Sequence, residues 1–115
     1  MKENIIKEKS YSFAIRIVRM YQTISERNRE YVLSKQYLRS GTAVGALVYE
    51  SEHAQSVADF ISKINIALKE ANETFYWLSL LRDTGYLTIE ESRSIQRDAQ
   101  ELVRILAAIL KTIKN

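Results

Sequence analysis

Cysteine is absent from this 115-residue sequence, as is proline; histidine occurs once and glycine three times. Each absence removes chemistry. Without Cys there is no disulfide framework, no thiol nucleophile and no Cys-ligated zinc or iron–sulfur centre, and the fold is indifferent to redox compartment. A single His leaves little room for metal sites or imidazole acid/base catalysis. The missing Pro acts the other way: inside a helix it costs about 3 kcal/mol, so a well-mixed chain without it permits long uninterrupted helices. Long apolar runs are lacking too. The longest uncharged stretch, Ser40 to Tyr49, is ten residues, half of a membrane span. The opening Met-Lys-Glu-Asn-Ile-Ile-Lys-Glu-Lys has no signal-peptide hydrophobic core. A cytoplasmic protein with no membrane partner is expected.

What remains is 46% hydrophobic and 27% charged, the balance of a globular domain. A chain of this length buries roughly two-thirds of its extended surface on folding, which suffices for one core and leaves no room for a second. Residues 1–115 are therefore read as a single domain. The net charge of +3 is mild, but it is unevenly spread. Residues 1–49 carry +5 and residues 50–115 carry −2. A nucleic-acid footprint is compatible with this and not demanded by it.

Periodicity predicts four helices. From Ser10 to Ile24, the residues Phe13, Ala14, Ile17, Met20, Tyr21 and Ile24 recur at three- and four-residue steps, marking one buried face. After a polar break at Ser25-Glu26-Arg27-Asn28, Asn28 is a candidate cap for a second helix running to about Glu52. Its core side holds Leu33, Tyr37, Ser40, Val44, Leu47, Val48 and Ser51. Ser56-x-x-Asp59 resembles a capping box, and Val57, Phe60, Ile61, Ile64, Leu68, Ala71, Phe75 and Leu78 follow at helical spacing to a left-handed stop at Gly85. Thr88-x-x-Glu91 opens a fourth helix with a stripe of Ile95, Ala99, Leu102, Leu106, Ile109 and Ile113. Short connections make sequential helices antiparallel, so the expected fold is all-α, an up-down-up-down four-helix bundle.

Several features exceed a simple bundle. Ile66, Trp77 and Leu80 lie nearly opposite Ile64 on the third helix, so one bundle cannot bury both stripes; the second suits a subunit interface, or a Trp half-exposed at the bundle edge. The second helix packs small residues, Ser40-Gly41-Thr42-Ala43-Val44-Gly45-Ala46, around most of its circumference. Two interior Gly cost about 0.8–1 kcal/mol each relative to Ala, and close backbone approach is the compensating gain. Tyr49, with Tyr31, Leu38 and Gly45, flanks that helix's core face and could meet a neighbouring subunit.

Two basic sets are candidates for phosphate contact. Arg93, Arg97, Arg104 and Lys111 form a row on the fourth helix opposite its apolar stripe, with Glu90, Asp98 and Glu101 nearby; a solvated charged face is the bland alternative. Arg16, Arg19, Lys35 and Arg39 come from the more basic half. Glu50-x-x-His53 has the spacing of a di-iron bundle ligand pair, but one His per chain cannot complete such a site inside one bundle; only a site shared across an oligomer axis is conceivable, an exposed His at a helix end is the better reading, and no cofactor is expected. Ser and Thr lack a positioned base and no phosphate-cradling Gly loop occurs, so neither an enzyme nor a small-molecule substrate is indicated.

The stretch Tyr31-Val-Leu-Ser-Lys-Gln-Tyr-Leu-Arg-Ser-Gly-Thr-Ala-Val-Gly-Ala resembles the hallmark of the bacterial four-helix-bundle family of proteins encoded in intervening sequences of 23S rRNA genes. Ser12-Phe13-Ala14-Ile15-Arg16-Ile17-Val18, Asp59-Phe60-Ile61-Ser62-Lys63 through Ala67-Leu68-Lys69-Glu70-Ala71, and Glu73-Thr74-Phe75-Tyr76-Trp77-Leu78 with Leu81-Arg82-Asp83-Thr84-Gly85-Tyr86 agree with it. Lys35, Arg39, Ser40, Gly41, Gly45 and Glu50 match the hallmark; Leu47 departs from it, where the family usually carries Asn. The resemblance implies a ring-like homo-oligomer, typically a pentamer, with a basic surface that binds RNA or DNA. Relatives include accessory proteins of diversity-generating retroelements, which act beside a reverse transcriptase. The rival expectation is a protein-interaction or scaffold module whose basic residues only keep it soluble.

Overall fold

A computed structural model describes residues 2–114, with side-chain surroundings for 5–113. Four helices occupy it: α1 (Lys2–Asn28), α2 (Leu33–Ser51), α3 (Val57–Asp83) and α4 (Ile89–Lys114). Each packs on the next, and α1 closes against α4. Neighbours around the ring are thus neighbours in sequence, the antiparallel up-down-up-down arrangement, in a body of 44 × 21 × 20 Å.

The first helix begins earlier than its periodicity suggests. Ile6 and Ser10 are buried and continue the stripe of Phe13, Ile17 and Ile24 toward the N-terminus. The break after it also differs from expectation. Asn28 ends α1 instead of capping α2, and Arg29 takes a left-handed φ of 52° while its N–H donates to the Ser25 carbonyl at 3.0 Å. The cap of α2 comes from Glu30, whose carboxylate accepts from the N–H groups of Val32 (2.9 Å), Leu33 (3.0 Å) and Ser34 (2.8 Å). A long carboxylate reaching over three N–H groups does the work usually given to Asn or Ser, and adds a charge at the positive end of the helix.

The other helix ends follow the sequence reading. Ser56 Oγ accepts from the Asp59 N–H at 3.0 Å, although the Asp59 carboxylate reaches Gln55 N–H instead of closing the box on Ser56. Thr88 and Glu91 make both bonds of a capping box, at 2.9 and 3.0 Å. Gly85, at φ 89°, terminates α3, and the Tyr86 N–H donates back to the Leu81 carbonyl at 2.8 Å.

The core is aliphatic with a polar minority. On α3 its line is rotated from the predicted stripe: Ile64, Ala67, Ala71, Thr74, Leu78 and Leu81 are buried, while Val57 in the first turn is exposed. On α4, Leu110 is buried and Ile113 lies exposed at the open end. Both glycines of α2 turn toward α1. A Cβ on Gly41 would stand 2.7 Å from Ile17 side-chain atoms, and one on Gly45 would stand 3.1 Å from the Ser10 carbonyl oxygen. Ser40 turns the other way, its Oγ 3.0 Å from Thr74 Oγ1. The small residues of α2 therefore bring it close to α1 and α3 at once, which explains how interior glycines are tolerated.

Candidate nucleic-acid interface

Charge placement on the bundle is set by which helix faces which. Along the seam between α1 and α4, Lys9 pairs with Glu101 at 3.2 Å, Arg16 with Asp98 at 2.5 Å, and Arg27 with Glu91 at 3.1 Å. Arg16 also donates to Ser94 Oγ at 2.8 Å, and Arg27 donates to the Tyr86 carbonyl at 2.8 Å, tying the end of α1 to the α3–α4 connection. The Arg27 hydrogen bond holds the Glu91 carboxyl below the usual carboxylate range, against partial burial and with help from the Thr88 N–H. Three acids of α4 are thereby turned to one flank and neutralised.

The opposite flank is predominantly cationic, with Glu90 in the first turn as its one exposed acid. Arg93, Arg97, Arg104 and Lys111 are exposed, and among the described residues none of them forms an ion pair. Their spacing of four, seven and seven residues keeps them within an arc of roughly 40° and spreads them over about 27 Å of helix. Beside Arg104, a shallow groove of about 450 Å³ runs between α3 and α4, lined by Asn72, Phe75, Gln100 and Val103.

The basic residues of the first two helices divide. Arg16 is engaged as described, and Arg39 lies against Glu70 at 3.2 Å and against Glu73. The Trp77 indole N–H donates to the same Glu73 carboxylate at 3.0 Å, and with Arg39 it holds Glu73 below its ordinary range. Both arginines are thus structural fasteners between helices. Arg19 and Lys35 remain exposed with no ion pair among the described residues. Sequence patterning finds the α4 row; it cannot find the pairings that remove Arg16 and Arg39, because those partners lie 82, 31 and 34 positions away.

The apolar candidates also find places. Gly41 and Gly45 serve intramolecular packing. Trp77 is half-buried against the core, Leu80 is half-buried, Ile66 is 39% exposed, and the Tyr76 ring meets Trp77 edge-on at 5.0 Å. Tyr49 is exposed, with the Lys7 ammonium 5.7 Å from its ring centre and His53 edge-on at 5.9 Å. The outer face of α1 adds Tyr11, Ile15 and Val18, exposed residues that the sequence reading did not single out because they sit opposite the recognised stripe. Glu50 faces Lys63 at 3.9 Å, and among the described residues no group of three His, Cys, Asp or Glu could hold a metal ion. A cavity of about 400 Å³ opens at the bundle end among Ile5, Phe60, Ile64, Ile105 and Ile109. Its hydroxyls, Ser51 and Thr112, donate to carbonyls of their own helices.

Fold and surface together define the class: an antiparallel four-helix bundle whose fourth helix carries a row of exposed, unpaired cations. The family model for 23S rRNA-intervening sequence proteins matches residues 2–108. The chain belongs to that family. A solved structure from Bacteroides thetaiotaomicron, described as a protein of unknown function from the S23 ribosomal protein family, is 54% identical, covers 96% of this chain and 99% of its own, and superimposes with a TM-score of 0.94. No curated protein matches the chain. Among the described residues, no helix is long and apolar enough to cross a membrane.

Proposed function

We propose that this protein is a non-enzymatic homo-oligomer, a pentamer as the family resemblance implies, that binds RNA or DNA through phosphate contacts along α4. One observation carries the reading: Glu91, Asp98 and Glu101 are neutralised by α1, so Arg93, Arg97, Arg104 and Lys111 face solvent unpaired, with Glu90 at the start of the helix the one exposed α4 acid left beside the row. Each such cation that meets a phosphate releases counterions and makes affinity steeply salt-dependent. Arg19 and Lys35 can extend the footprint; Arg16 and Arg39 hold helices together.

Self-association is supported by apolar surface on two unlike faces. One combines Tyr11, Ile15 and Val18 of α1 with Tyr49 of α2; the other holds Ile66, Trp77 and Leu80 of α3. Two dissimilar patches suit a head-to-tail contact that closes into a ring. The same surfaces favour the second reading, a scaffold module that binds protein only. Light scattering on the purified protein, with the absorbance ratio for co-purifying nucleic acid, tests both parts. The expected mass is near five times the 13.4 kDa chain, and Trp77→Ala lowers it. A strictly monomeric wild type at micromolar concentration overturns the assembly; affinity for RNA and DNA that is absent at low salt or indifferent to salt overturns the phosphate reading.

A further inference from the structure

We infer that the ligand of the α4 ridge is a duplex, gripped by its phosphates without regard to base sequence; this rests on the nucleic-acid reading above. The ridge lacks what a single strand requires. Proteins that bind single strands combine a basic groove with aromatic side chains on which successive bases stack. From Ile89 to Lys114, α4 contains no Phe, Tyr, Trp or His. In the adjoining groove, Phe75 is half-buried and packed on the core, and the exposed Tyr76 of α3 is a lone ring set edge-on against Trp77. No row of π-faces accompanies the row of cations.

The geometry of the ridge points the same way. Its four cations lie on one face of an uninterrupted helix over about 27 Å, exposed on the outer surface of the bundle. A duplex presents one phosphate per roughly 1.7 Å of axis and is stiff over ~150 base pairs, so it lies against such a ridge without ordering. A flexible strand would have to be straightened with no stacking to offset the loss. The polar groups beside the ridge, Asn72 and Gln100, are amides that can bond sugar and phosphate oxygens.

The test uses the whole protein and four labelled probes: one sequence of roughly 20 base pairs, longer than the ridge at about 3.4 Å per step, as DNA duplex, RNA duplex and the separated strand of each. Binding is titrated between about 0.05 and 0.2 M salt. Each duplex is expected to bind at least about tenfold tighter than its strand, and Arg97→Gln with Arg104→Gln is expected to flatten the log–log salt slope by about 2. Both side chains are exposed and unpaired among the described residues, so unchanged thermal unfolding verifies the variant fold. A strand binding as tightly as its duplex overturns the duplex assignment and leaves nucleic-acid binding standing. An unchanged salt slope in the double variant overturns α4 as the site. Failure of all four probes at the lowest salt overturns the parent reading along with this one.

Discussion

Tyr37 offers the most discriminating test of the core. Its ring is fully buried and is the largest side chain to be so, yet its hydroxyl has no hydrogen-bond partner. Burial pushes the phenol well above its ordinary ionisation range, against the positive charge of Arg16 nearby. A buried hydroxyl without a partner forfeits about 1–3 kcal/mol of solvation. Tyr37→Phe removes that group and leaves a void of one oxygen, roughly 15 Å³, which at about 24 cal/mol per Å³ costs only ~0.4 kcal/mol. The net expectation is a gain of about 1–2 kcal/mol, or a Tm higher by roughly 4–8 °C for a chain of this size. Urea unfolding followed by helical circular dichroism measures it, with wild type and variant at one protein concentration so that assembly does not distort the comparison. A second arm uses pH. A phenol raised in the folded state stays protonated while its unfolded counterpart ionises near pH ~10, so stability present below that pH falls as pH rises further, and Tyr37→Phe removes this component. Destabilisation by Tyr37→Phe would refute the reasoning, because it would mean the hydroxyl is satisfied, for instance by an internal water.

Gly41→Ala and Gly45→Ala separate packing from propensity. Alanine gains about 1 kcal/mol of helix propensity at each site, but at Gly41 the new Cβ meets Ile17 at 2.7 Å and forces α1 away, at a cost of about 1–3 kcal/mol. Gly41→Ala is therefore expected to be destabilising and Gly45→Ala closer to neutral in the same urea assay; the reverse order contradicts the close-approach account. Glu30→Ala strips the cap from α2 and should lower stability by about 1–2 kcal/mol at neutral pH. Although burial works to raise the Glu30 pKa, the backbone N–H groups of Leu33, Ser34 and Val32 hold it below its usual value. Its contribution is thus complete above the ordinary carboxylate range and lost as pH falls through the lowered value, and a deficit that persists unchanged in strong acid argues against the cap. Arg27→Met leaves Glu91 its capping bonds but removes the cation that lowers its pKa. The stability deficit of this variant, measured by urea unfolding, should be largest at neutral pH and shrink as pH falls through the lowered Glu91 value.

Much of this protein is legible in the order of its residues because the signals are local. Helical stripes, the Thr88–Glu91 box and the left-handed stop at Gly85 depend on neighbours within one or two turns, and they fix four helices and their antiparallel order. The start of α2 departs from the expected Asn28 cap for an equally local reason: Asn28 has the better capping chemistry in isolation, but Glu30 reaches three N–H groups once Arg29 turns the chain.

The candidate site divides along the same line. A row of cations on α4 follows from residue spacing alone, as does the presence of small residues in α2. Which cations remain available does not. Arg16 and Arg39 carry the same charge as Arg97 and Arg104, and only the packing of α1 on α4 and of α2 on α3 places acids against the first two. Electrostatic pairing falls off over a few ångströms, and those ångströms are set by contacts between residues distant in sequence. Sequence determined that the surface is basic; the tertiary structure decided which of those charges are left unpaired.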